Sequence, residues 1–301
     1  MTHVNIIATI EAALTTIVLN PSGALRALFW PFCMILIGIL LQAAPLLIYG
    51  PLSFTGSMIA WIAGYSALIS IGTAAAAYNW QRFLLVEKIQ QKEVIEDLLW
   101  QQIFTPQFAR YAGYSLLLAV PYIVIQGLFL WNFLQDQLSP EWISMIPYSG
   151  LIYLLVLPIW MRLSLVLCAV AAGHKDVSVF QAFRLGRGSG WRIAVANIGG
   201  GLALAVFFLV GGLVFVIVMA ILGFVLVGAL GDVGTVILAI ITGFVQSVAL
   251  PLGACVPAGI LAISYAQLHT DFDNPIEKLK IPEEGLLEAD KAPAYGQKRS
   301  Q

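Results

Sequence analysis

Six stretches of this chain are each long and apolar enough to cross a bilayer, and no other feature restricts its fold so strongly. They run over 27–49, 57–83, 111–133, 147–171, 193–222 and 235–267. Crossing the hydrocarbon as a helix takes about 20 apolar residues. Inside it, every backbone N–H and C=O must find a partner within the segment, which an α-helix provides and an open strand does not. The fifth and sixth stretches are nearly continuous, and Gly228-Ala-Leu-Gly-Asp-Val-Gly234 is the turn expected between them. Only 10% of the residues are charged, against about 25% in a soluble domain. The predicted class is therefore an all-α integral membrane protein with six transmembrane helices.

Charge placement sets the expected orientation. Arg26 precedes the first span. Lys88, Lys92 and Arg110 lie between the second and third, with Arg82 at the end of the second; Lys175, Arg184, Arg187 and Arg192 lie between the fourth and fifth, with Arg162 inside the end of the fourth. Lys278, Lys280, Lys291, Lys298 and Arg299 follow the sixth. These are all fifteen basic residues, and every one belongs to the side of the N-terminus. The opposite loops hold Asp136, Glu141 and Asp232 and no Lys or Arg. The positive-inside rule then predicts that both termini are cytoplasmic. The net charge of −1 offers nothing for nucleic acid to bind. No basic leader or cleavage site opens the chain, so no cleaved signal peptide is expected.

The basic-side connections carry a pattern of their own. Val4, Ile6, Ile7, Ile10, Ala13, Leu14, Ile17 and Val18 recur at helical spacing before Asn20-Pro-Ser-Gly23. Val94, Ile95, Leu98, Leu99 and Ile103 recur before Thr105-Pro106. Val177, Phe180 and Phe183 recur after Asp176, a good helix cap, and before Gly186-Arg-Gly-Ser-Gly190. Each break leads to an arginine, at Arg26, Arg110 and Arg192, separated by 84 and 82 residues. Trp80-Gln-Arg82 and Trp160-Met-Arg162 are a second matched pair, 80 residues apart. The predicted architecture is three pseudo-repeats, about 1–88, 89–175 and 176–270, each an interfacial amphipathic helix followed by a helical hairpin. A soluble cytoplasmic helix packed on the bundle is the alternative for the leading element. The transmembrane domain spans 1–270, and 271–301 is a polar cytoplasmic tail expected to be disordered.

Charged residues inside spans are candidates for function because they are costly there. Arg162 precedes a further apolar run, 163–172, which places it about two to three turns below the membrane surface. It either snorkels or ties to backbone carbonyls, or it holds a lipid headgroup. The lipid-phosphate candidates are Arg82, Arg162, Arg184, Arg187 and Arg192, the last three set among glycines and Trp191. The spacing Gly186-x-Gly188-x-Gly190 is not a dinucleotide fingerprint. Gln126, Asn197 and Gln246, polar at membrane depth, are the candidates for a pathway between repeats. Pro251 and Pro257 make the sixth span irregular, and Gly199-Gly-Gly201 and Gly211-Gly212 permit close helix contact.

Catalytic signatures are missing. No histidine stands at membrane depth for a serine protease, His-Glu-x-x-His is absent, Asp232 has no partner aspartate, and there is no P-loop. Cys33, Cys168 and Cys255 are far apart within apolar runs and read as small buried hydrophobes. No enzyme, cofactor or metal site is expected, and no histidine cluster is evident from His3, His174 and His269.

Three segments carry a resemblance: Trp80-Gln-Arg-Phe-Leu-Leu-Val-Glu87, Met161-Arg-Leu-Ser-Leu-Val-Leu167, and Ala182-Phe-Arg-Leu-Gly-Arg-Gly-Ser-Gly-Trp-Arg-Ile193. In this order they resemble a loose superfamily of bacterial inner-membrane proteins. It includes the YciC-like proteins and the membrane domains attached to some glycerophosphodiester phosphodiesterases. In the fused members catalysis belongs to a separate soluble domain, so the resemblance implies no hydrolase activity here. It implies a non-enzymatic inner-membrane protein that interacts with phospholipids or supports the cell envelope. A transporter or permease component, and a membrane subunit of a larger assembly, are the alternatives. Membrane phospholipids are the expected partners, with other membrane proteins or a second copy as further options.

Overall fold

Local breakers cut the chain where expected. The computed structural model describes residues 4–49, 56–90, 105–120, 140–174, 177–269, 272 and 275–279. Among them every regular element is helical and none is a strand. Helix α1 (Ile6–Leu19) is capped by Asn5, whose Oδ1 accepts from the Ala8 N–H at 3.3 Å. It stops at Asn20, and α2 (Pro21–Tyr49) starts on a proline, whose missing N–H is no loss in a first turn. Helix α3 (Gly56–Arg82) runs on into a π-helical segment, Phe83–Ile89. Helix α4 covers 106–120 of the described residues, behind Thr105, whose hydroxyl accepts from the Phe108 N–H at 3.2 Å.

Helix α5 is Pro140–Ala171. Helix α6 (Val179–Leu185) begins with a reciprocal capping box between Ser178 and Gln181. The cap therefore falls at Ser178 rather than at the expected Asp176, because only Ser178 has a glutamine three residues on to complete the pair. The glycine-rich break then leads into α7 (Gly190–Leu230) and α8 (Asp232–Leu268). Their turn is one residue, Gly231, at φ +56°, a conformation that favours glycine.

Four of these helices are long and apolar enough to cross a membrane: Pro21–Leu41, Leu154–Ala171, Gly190–Leu230 and Ile240–Leu268. They coincide with the first, fourth, fifth and sixth expected spans, as a multi-pass membrane protein requires. The second expected span falls on α3, whose final turn is polar. The third is described only as far as residue 120, and the helix expected over 94–103 lies outside the described residues.

Helices α3, α5 and α8 touch one another at the centre. Around them α2 lies against α3 and α8, and α7 against α8 and α5. Small residues set these approaches. A Cβ at Gly72 would sit 3.2 Å from the Pro31 carbonyl, and one at Gly38 3.3 Å from the Tyr65 carbonyl. The buried core gathers at the end of the bundle that carries the arginines, around Trp80, Leu84, Leu85, Leu165, Ile193 and Tyr265. Helix α7, by contrast, exposes Leu202, Phe207, Leu213, Ile217 and Phe224 along its length. That pattern suits a solvent of acyl chains, in which an outward apolar surface costs nothing.

The apolar run after Arg162 packs inward: Leu165, Val166, Cys168, Ala169 and Ala171 are fully buried in the protein core. Arg162 itself lies within the apolar helix Leu154–Ala171. Past 270 the chain stays packed on the bundle. Phe272 and Pro275 are buried, and α9 (Pro275–Leu279) packs against α1, α8 and the π-helical segment. Phe272, Ile276 and Leu279 supply an apolar face that the polar average of the tail conceals. Residues 280–301 lie outside the described residues.

The mouth of the α7–α8 hairpin closes on Gly234, where an added Cβ would collide with the Leu226 carbonyl. Overpacking of this kind costs about 1–3 kcal/mol. Gly234→Val is expected to lower the thermal unfolding midpoint in detergent by several degrees; an unchanged midpoint would contradict the close approach.

Candidate functional site at the basic end

The last turn of α3 holds five consecutive residues that point to different neighbours, because successive helical side chains are about 100° apart. Asn79 Nδ2 donates to the Ala27 carbonyl of α2 at 3.0 Å, and Gln81 Nε2 to the Ala258 carbonyl of α8 at 3.4 Å. Arg82 Nη1 donates to Gln107 Oε1 of α4 at 3.0 Å. The Tyr78 ring meets Phe108 and Tyr111 edge-on at 5.5 and 5.1 Å. Trp80 is fully buried, stacked on Phe83, with its indole nitrogen 3.2 Å from where a Cβ on Gly259 would lie. These contacts lock three helices to α3.

Arg162 performs a similar task on α5. Its Nε and Nη2 both donate to the Phe183 carbonyl, at 3.1 and 2.7 Å. Its guanidinium carbon stands 3.6 Å from the centre of the Phe183 ring, a cation–π contact. The aliphatic stem lies on Gly186 and Gly190, where a Cβ would approach it to 2.9 and 2.8 Å. Glycine at both positions lets the chain between α6 and α7 wrap around this one side chain.

The remaining arginines of that segment face outward. Arg184, Arg187 and Arg192 are exposed, and Arg192 makes one long contact, 3.5 Å, to the Val4 carbonyl. Beside them Phe180 and Trp191 are 82% and 56% exposed. The five lipid-phosphate candidates thus divide by geometry. Arg82 and Arg162 are half-buried and hydrogen-bonded to protein oxygens, whereas Arg184, Arg187 and Arg192 present guanidinium groups at the surface.

The pathway candidates are not brought together. Asn197 Nδ2 donates to the Ile193 carbonyl of its own helix at 3.0 Å, and Gln246 is exposed on α8. Folding back at Gly231 sets Asn197 near the level of 265 and Gln246 near 216, roughly 28 Å apart along the hairpin. Gln126 lies outside the described residues.

One cluster has no counterpart in the sequence reading. His174 Nδ1 and the Tyr265 hydroxyl are 2.7 Å apart, and the His174 and His269 rings stack at 4.8 Å, with Phe272 alongside. It joins the ends of α5 and α8. No local signal could reveal it, since 91 residues separate His174 from Tyr265. Gln267 makes a comparable long-range tie, accepting from the Asn5 N–H at 3.1 Å and donating to Thr9 Oγ1 at 3.0 Å. Among the described residues no three His, Cys, Asp or Glu side chains gather as a metal site would need. Comparison with protein-family models, curated proteins and solved structures found no match.

Removing the Arg162 guanidinium leaves the Phe183 carbonyl without its donors. A hydrogen bond from a charged group is worth about 1.5–3 kcal/mol. Arg162→Ala is therefore expected to lower the unfolding midpoint clearly, and Arg187→Ala to leave it within error, when both are followed by tryptophan fluorescence during heating.

Proposed function

We propose that this chain is a non-enzymatic, multi-pass protein of the bacterial inner membrane that holds phospholipid headgroups at its cytoplasmic face. The observation that carries the reading is the surface around the α6–α7 break. Arg184, Arg187 and Arg192 are exposed there beside Phe180 and Trp191, and Arg162 holds the segment in place from within. Guanidinium groups bind phosphate oxygens through paired, charge-assisted hydrogen bonds. An exposed tryptophan beside them suits the boundary between headgroups and chains. Arg82 and Arg162 enter as positioning residues in this reading, and the three exposed arginines contact phosphate.

The finer architecture is part of the same proposal: six spans in three units, YciC-like, with both termini cytoplasmic. The packing order supports it. Helix α2 of the first unit lies between α3 of its own unit and α8 of the third; α7 of the third lies between α8 and α5 of the second. Each unit is also tied to the next at the basic end. Arg82 bonds Gln107, Arg162 bonds the Phe183 carbonyl, and Gln267 bonds Asn5 and Thr9, which returns the third unit to the first. A ring of three related units accounts for all three ties.

Native mass spectrometry of the protein released from mild detergent tests the headgroup role. Retained phospholipid is expected for the unaltered chain. The combined Arg184→Gln, Arg187→Gln and Arg192→Gln variant should retain much less, since a hydrogen bond to a charged group is worth about 1.5–3 kcal/mol. An identical lipid complement in the two proteins would overturn the proposal. The orientation is tested separately. A cysteine placed at Gly188 is expected to react with a membrane-impermeant maleimide only after the inner face is opened, and reaction in sealed spheroplasts would reverse the topology.

A further inference from the structure

Helix α7 starts with an open end. By helix geometry the N–H groups of Gly190, Trp191 and Arg192 have no acceptor within the helix. They stand at the positive pole of 41 aligned residues. Helices α1 and α6 close the same position with a side chain. Asn5 caps α1 and Ser178 caps α6, each from an extended backbone, at ψ 105° and 166°. Ser189 occupies the matching position on α7, but its ψ is −1° and its hydroxyl bonds none of the amides. The residue is 1% exposed, and its Oγ has no partner among the described residues. A buried hydroxyl is seldom left unbonded. This one belongs to the residue next to three open amides.

The turns before α7 gather cations around that end. Gly186 and Gly190 both rest on the Arg162 stem, so the three residues between them bulge outward. The Arg187 N–H donates to the Arg184 carbonyl at 3.0 Å, and the Ser189 N–H to the Gly186 carbonyl at 3.1 Å. Arg184 and Arg187 therefore stand one turn apart directly before the helix, and Arg192 lies in its first turn. All three are exposed. From 177 to 192 the chain has no Asp or Glu, so no carboxylate of this segment neutralises them. Three guanidinium groups and a helix pole make an excess of positive charge that a phosphodiester, with a single negative charge on two free oxygens, only partly matches. A phosphomonoester carries close to two charges on three free oxygens. Its third oxygen offers the amides and Ser189 the acceptor that the protein does not. Nothing in the segment pairs with an ammonium group, so an amine-bearing headgroup gains no contact there.

We infer that the α6–α7 break is selective for a phosphomonoester, whose oxygens lie across the open amides of α7 and the Ser189 hydroxyl while Arg184, Arg187 and Arg192 close on them. On a membrane lipid this group is the headgroup of phosphatidic acid; in solution it is the terminal phosphate of a small ester. The inference rests on the headgroup reading and narrows it, since a merely cationic surface would accept any anionic phospholipid. Ser189 is a specificity residue here, and Arg162 remains the support beneath it.

Binding of three short-chain lipids to the full-length protein, read by native mass spectrometry in mild detergent, tests it. Dihexanoyl-phosphatidic acid is compared with its methyl ester, dihexanoyl-phosphatidylmethanol, and with dihexanoyl-phosphatidylglycerol. The methyl ester differs only in one capped oxygen and the charge lost with it. Phosphatidic acid is expected to bind several-fold tighter than either diester. Ser189→Asp supplies a carboxylate to the amides from within, and is expected to abolish that preference while the unfolding midpoint holds. Equal binding of the three lipids by the unaltered protein would overturn the inference and leave the headgroup reading intact; binding of none would end both. A Ser189→Asp protein that melts normally and keeps the preference would also overturn it. The lipid series on the unaltered protein decides the matter if that variant melts early. Inorganic phosphate separates the two sources of ligand. Displacement of phosphatidic acid at millimolar concentration extends the seat to soluble phosphate esters, and no displacement restricts it to lipid; either result supports the selectivity.

Discussion

One turn of helix, Asn79 to Arg82, organises the bundle. Its side chains reach α2, α4 and α8 in turn, and the buried Trp80 fills the centre between them. In a membrane the hydrophobic effect does not draw helices together, because acyl chains are as apolar as leucine. Close packing and hydrogen bonds must do so. The amides of Asn79 and Gln81 meet carbonyls of neighbouring helices, where no water competes for them. The core is accordingly densest at this end, and α7 becomes almost wholly exposed further along its 41 residues.

The arginines show how one residue type takes two roles in one short segment. Arg162 is enclosed by Gly186, Gly190 and the Phe183 ring, and its donors are used on one carbonyl. Its function is to hold the break between α6 and α7. The same break turns Arg184, Arg187 and Arg192 outward. The bonds of Arg82 to Gln107 and of Gln267 to α1 repeat this logic at the other junctions, so the basic end is both the tightest region and the most charged.

Much of the fold was legible residue by residue. Asn20-Pro21 and Gly186–Gly190 interrupt helices where they were expected to, Thr105-Pro106 opens one, and Gly231 falls within the predicted turn. Proline and glycine act on their own backbone, so their effect survives whatever packs around them. The site was half legible. Composition marked the cluster from Ala182 to Arg192, yet not which guanidinium groups face inward. That 163–172 packs inward was not legible, because an apolar run reads the same in lipid as in a protein core. The stacking of His174 on His269 was invisible, as it joins helices that are distant in the chain.

The sequence by itself determined that the chain is helical, that it suits a bilayer and where its helices break. Those properties follow from backbone hydrogen bonding in an apolar solvent and from local dihedral limits, which each segment carries alone. The tertiary structure decided which face of α1 turns outward, which apolar run is enclosed by protein, and which arginines remain at the surface. Those outcomes depend on neighbours supplied by remote segments: Gln267 for Thr9, Gly199 for Ile10 and Phe183 for Arg162. A side chain's environment belongs to the contact and not to the residue, so no reading along the chain could assign it.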